Sequence, residues 1–133
     1  MVENTLVKES LTREMIADGR EVLRRLQVQA PVTAGFWLYE SESNAWRLVI
    51  ASPVVTAQGR RALYRQLQRV LVELTAVGSH TLELGDIALL ADNDPLVALL
   101  RHALGGVQQA GQRLTRQAID GHFIDDAYVY SVA

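Results

Sequence analysis

The sequence predicts an α+β domain: a mostly antiparallel five-stranded sheet carrying three helices, in the order helix, strand, strand, helix, strand, helix, strand, strand. Three observations predict it. Two runs of alternating apolar and polar residues, 32–39 and 45–51, flank a short polar turn. Two longer stretches, 11–26 and 56–74, repeat apolar residues at helical spacing. The dipeptide Asp120–Gly121 joins two further runs of strand formers. The chain has 133 residues, the size of a single domain, and no linker or internal repeat divides it. It is therefore read as one two-layer domain over 1–133, with the polar stretch 1–9 as an arm.

The first helix starts at Ser10 or Thr12, either of which can accept a backbone N–H bond. Leu11, Met15, Ile16, Gly19, Val22, Leu23 and Leu26 make its apolar stripe, and Pro31 bars its continuation. In the first strand, Phe36 and Leu38 alternate with Trp37 and Tyr39; in the second, Trp46, Leu48 and Ile50 alternate with Arg47 and Val49. Residues 40–44 form the turn between them.

Ser52 and Pro53 end the second strand, and Thr56 is a plausible cap for a helix running to Leu74. Leu63, Leu67, Val70, Leu71 and Leu74 are its buried stripe. A third strand is read within Leu82–Ala91, around the apolar run Ile87–Leu90. Asp94 and Pro95 start the third helix, an acidic cap before proline at the first helical position, and Gly105–Gly106 ends it. Arg113–Ile119 and His122–Val132 close the sheet. Both central residues of a type I′ turn need positive φ, which Asp120–Gly121 supplies.

Composition excludes several classes of function. Hydrophobic residues make up 49% of the chain and charged residues 21%, which is globular rather than disordered. The absence of cysteine removes disulfides, thiolate metal sites and a cysteine nucleophile. A net charge of −2 argues against a globally basic nucleic-acid binder while allowing a local basic face. The sequence contains no P-loop, no dinucleotide-binding glycine motif and no Gly-x-Ser-x-Gly motif. No cofactor and no catalytic residue is implied. No apolar run is long enough for a membrane span, and 1–9 lacks the pattern of a signal peptide, so a cytoplasmic protein is expected.

Three surfaces carry candidate chemistry. One is aromatic: Trp37, Tyr39 and Val49 on one face of the first hairpin, with Tyr128 and Tyr130 on the last strand. An apolar sheet face of this kind is expected to seek a second copy of the chain, giving a homodimer with Trp37, Tyr39, Tyr128 and Tyr130 in the interface. Another is the arginine stripe of the second helix. Arg61, Arg65 and Arg69 lie four apart with Arg60 beside them, and a row of guanidinium groups can neutralise successive phosphates. The third is acidic: His122, Asp125 and Asp126 are ligand types for a divalent metal, as a hydrolase would use. The bland readings are a wrapped core, a solvated helix face, and turn and edge chemistry respectively. Asp86, Asp92 and Asp94 lack the glycine and glutamate of a calcium loop and read as helix capping. His80 and His102 stand alone and read as surface residues.

The segments Gly35–Tyr39, Trp46–Pro53 and Asp120–Tyr130 resemble those of a group of small bacterial α+β proteins of unknown function. The resemblance covers nearly the whole chain and implies the fold, but no activity or site. The chain departs from that pattern at Gln58–Gly59, where the group starts its second helix with a Gly-Pro-like pair. The leading expectation is thus a non-catalytic binding or assembly module, homodimeric. A nucleic-acid-binding accessory protein and a metal-dependent hydrolase are the alternatives.

Overall fold

Thr12 is the residue that starts the first helix, because its Oγ1 accepts the N–H of Met15 at 3.0 Å. In the computed structural model, which describes residues 10–78, 82–104 and 111–133, this helix (α1) spans Arg13–Gln29. Ala30 turns extended ahead of Pro31, which cannot follow a helical residue comfortably. Strands β1 (Ala34–Glu40) and β2 (Ala45–Ser52) pair antiparallel from Ala34 opposite Ala51 to Glu40 opposite Ala45. The register sets Trp37 beside Leu48 and Tyr39 beside Trp46. Val49 therefore belongs with its partner Phe36, not with Trp37 and Tyr39 as the sequence suggested.

The second helix is two helices, which corrects the sequence expectation. Helix α2 (Pro53–Gln58) is capped by Ser52 rather than Thr56: Ser52 Oγ accepts from the N–H of Val54 at 3.1 Å and donates to the carbonyl of Pro31 at 2.6 Å. Gly59, at φ 91°, breaks the helical path before α3 (Arg60–Ala76) begins. A single helical turn of 3₁₀ type, Leu84–Asp86, precedes β3 (Ile87–Ala91), which starts where the apolar run Ile87–Leu90 starts. Because α2 and α3 carry the chain back over the sheet, β3 lies parallel to β2, from Leu48 opposite Ile87 to Ser52 opposite Ala91.

Helix α4 (Pro95–Leu104) starts at Asp94, whose Oδ1 accepts the N–H of Leu96 at 2.9 Å. Its expected glycine stop at 105–106 lies outside the described residues, as do His80 and the arm 1–9. Strands β4 (Gln112–Ile119) and β5 (His122–Val132) form the last hairpin. Asp120 at φ 50° and Gly121 at φ 82° provide the two positive φ values its turn requires.

The sheet order is β3-β2-β1-β5-β4. It is mixed but mostly antiparallel. The register of β5 on β1 shifts between Gly35 and Phe36, which leaves Tyr130 as an extra residue. One face carries Trp37, Trp46, Leu48, Ile50 and Tyr130 against α1 and α3. The other carries Phe36, Val49, Ile124, Ala127 and Val129 against Val97, Leu99 and Leu100 of α4. Helices therefore cover both faces, and the domain has three layers where two were expected. The aromatic strand surface that the sequence left over is covered by α1 and α3, and α4 covers the other face. No helix among the described residues is long and apolar enough to cross a membrane.

Candidate binding cleft

Helix α4 has ten residues and β5 eleven. Laid straight, α4 would be less than half as long as β5, at about 1.5 Å of rise per residue against about 3.4 Å; yet consecutive side chains of α4 reach both ends of the strand, Arg101 the carbonyl of Ala133 and His102 the neighbourhood of Asp120. An open cleft of about 760 Å³ remains beside the first turn of α4, between the turn joining β1 to β2 and the start of β5. Leu38, Leu96, Leu99 and Ile124 give it apolar walls, and Phe123 stands at its edge with 66% of its surface exposed. Glu40, Glu42, Asp94, His122 and Asp125 also line it.

The acidic groups around the cleft differ in what holds them. Glu40 receives Arg47 Nε at 3.2 Å and the hydroxyl of Ser43 at 3.2 Å. Asp94 is engaged in capping α4. Glu42 and Asp125 have no hydrogen bond or ion pair among the described residues. A cleft with apolar walls and unneutralised carboxylates suits an occupant that is apolar and cationic. At the far end of α4, His102 Nε2 lies 3.8 Å from Asp120 of the last hairpin turn.

The aromatic residues expected at a dimer interface lie elsewhere. Trp37 is fully buried and Tyr130 nearly so, both beneath α1, and Tyr39 and Tyr128 are partly buried against the same core. The face is internal because α1 and α3 supply the apolar stripes that a second copy was expected to supply. Within it, Tyr130 Oη accepts the indole N–H of Trp37 at 2.9 Å and donates to the carbonyl of Ile16 at 2.6 Å. Burial pushes the Tyr130 hydroxyl well above the ordinary tyrosine range.

Of the four stripe arginines, Arg60 is set apart: its Nε donates to the carbonyl of Leu89 at 2.8 Å, on the open edge of β3. Arg61, Arg65 and Arg69 are exposed and have no ion pair among the described residues. Arg65, Gln68, Arg69, Val72 and Glu73 line a shallow groove of about 490 Å³. Val72 is 62% exposed there, and Glu73 is paired with Arg25 of α1 at 3.5 Å.

The three metal-ligand candidates do not converge. Asp126 accepts Arg113 Nε and Nη2 at 2.7 Å each, and the hydroxyl of Thr115 at 3.3 Å. This bond raises the Arg113 pKa further, and the guanidinium stacks 5.4 Å above the Trp46 ring. His122 and Asp125 line the cleft instead, with His122 Nδ1 3.2 Å from the carbonyl of Asp120. No group of three potential metal ligands occurs among the described residues. Sequence reasoning missed Phe123 and Glu42 as features of a site. No local signal in the sequence marks them, because the cleft is assembled from three segments distant in the chain, 38–42, 94–99 and 122–125. No protein family, no curated protein and no solved structure matches the chain.

Proposed function

We propose that this protein is a non-catalytic binding and assembly module, and that its working surface is the half-covered α4 side of the sheet rather than the aromatic side. The observation that carries the reading is Phe123, exposed at the edge of an open, largely apolar cleft beside the first turn of α4. An exposed aromatic beside a cleft of this size is what an interaction site presents before its partner arrives. The homo-oligomer expected from the sequence is retained, relocated to this surface.

Sedimentation equilibrium tests the reading. The wild type should associate beyond its 14.7 kDa protomer mass as concentration rises, and Phe123→Ser should weaken that association at least tenfold. A wild type that remains a monomer, or association indifferent to Phe123→Ser, would refute it.

One observation favours a second reading, that of a nucleic-acid-binding accessory protein: Arg61, Arg65 and Arg69 are exposed without ion-pair partners among the described residues. It predicts binding of single- or double-stranded DNA that falls with salt and weakens in Arg65→Ala/Arg69→Ala. Binding unaffected by that double change would remove it.

A further inference from the structure

Two of the exposed large apolar side chains stand in opposite electrostatic surroundings. Phe123 borders the cleft that holds the carboxylates of Glu42 and Asp125, which have no partner among the described residues. Val72 lines the α3 groove one turn beyond Arg69, which is itself one turn beyond Arg65. The cleft is on the α4 side of the sheet and the groove on the outer side of α3, which packs on the opposite face. One molecule cannot bring its own two surfaces together.

We infer that the occupant of the cleft is the α3 groove of a second copy of this chain, so that copies associate head to tail. This rests on the reading of the α4 side as the working surface. Phe123 enters the groove, where Val72 offers apolar contact and the guanidinium groups of Arg65 and Arg69 flank the ring. The same arginines meet Glu42 and Asp125 of the neighbouring copy. The Arg25–Glu73 pair already neutralises the one carboxylate in the groove that would oppose this contact. A symmetric pairing of cleft with cleft is disfavoured, because it sets Glu42 and Asp125 against their own copies. A contact between two different surfaces is heterologous, and each copy retains one free cleft and one free groove, so association is open-ended.

The test uses two half-blocked full-length variants. Glu42→Lys/Asp125→Lys alters only the cleft, and Arg65→Glu/Arg69→Glu only the groove. Sedimentation velocity should show the wild type growing in mass with concentration and shrinking with added salt. Each variant alone should associate at least tenfold more weakly. Mixed in equal amounts, the variants should associate again, because the native groove of one meets the native cleft of the other and the two reversed surfaces complement each other as well. A mixture that stays monomeric overturns the inference. So does a groove variant that associates like the wild type; if Phe123→Ser still abolishes association in that case, the reading of the cleft survives and only its occupant is wrong. Arg65→Gln/Arg69→Gln repeats the groove test without introducing acids into the helix, and circular dichroism of each variant confirms that it is folded.

Discussion

The Tyr130 hydroxyl and the Trp37 indole share one proton-donating contact, 2.9 Å long, across the central strand pair β1–β5. Tyr130 then donates its own proton to the carbonyl of Ile16, so one side chain links two strands to α1. Tyr130→Phe keeps the ring and removes both bonds, leaving a buried N–H unpaired. It should destabilise the fold by about 1–3 kcal/mol, read as a lower midpoint in urea unfolding. An unchanged midpoint would show that the network contributes nothing net.

Gly19 is the part of α1 that lets this network form. A Cβ added there would lie 2.5 Å from Tyr130 Oη and 2.8 Å from Trp37 Nε1. In an open helix Gly→Ala stabilises by up to about 1 kcal/mol. Here the clash wins, and Gly19→Ala should cost about 1–3 kcal/mol. Its cost should shrink in a Tyr130→Phe background, since the nearest obstructing atom is gone. A double-mutant cycle measures that coupling.

The raised Tyr130 pKa fixes the alkaline behaviour. Unfolding lets the hydroxyl ionise at its ordinary pKa of 10.0, whereas the folded protein holds it neutral. The stabilisation is therefore fully present below that pH and declines above it. Ultraviolet titration of the native protein should show the Tyr130 hydroxyl ionising only well above the ordinary tyrosine range. In Tyr130→Phe that late ionisation should vanish.

Glu21 governs part of the acid behaviour. Hydrogen bonds from Arg24 and Arg25 lower its pKa from 4.5 to about 2. A depressed carboxylate contributes stability above its unfolded pKa and loses it as pH falls through the folded one. The thermal midpoint should thus decline between 4.5 and 2, and Glu21→Gln should flatten that decline. The group is solvent-accessible, so added salt should reduce the difference.

Ser52 joins β2 to α2 and is fully buried. Its hydroxyl both caps the helix and bonds the carbonyl of Pro31. Ser52→Ala should cost about 1–2 kcal/mol in urea unfolding. Ser52→Thr, which keeps the hydroxyl, should recover part of the loss.

Local chemistry explains which elements could be read in advance. Thr12, Asp94 and Asp120–Gly121 act within a few residues of themselves, and the structure places a cap or a turn at each. Ser52 was legible only as a strand end, because its second partner, Pro31, is 21 residues away. The break at Gly59 was not legible, because a helical period continues on either side of it, whereas its φ of 91° separates α2 from α3. The candidate site was barely legible. Of the residues singled out as metal ligands, His122 and Asp125 line the cleft, but Asp126 turned to Arg113. Phe123 drew no attention as a site residue.

The sequence by itself determined the α+β class, the five strands, the hairpin at Asp120–Gly121 and the apolar stripes of the helices, because periodicity and turn chemistry act over a few residues. Only the tertiary structure decided which helix covers which face, the parallel placement of β3, and the burial of Trp37 and Tyr130 inside the protomer. Alternation along a strand marks two faces without saying what will cover either. That choice rests on contacts such as Trp37 with Tyr130, 93 residues apart, and on the docking of the first turn of α4 beside the start of β5, where the cleft is left open.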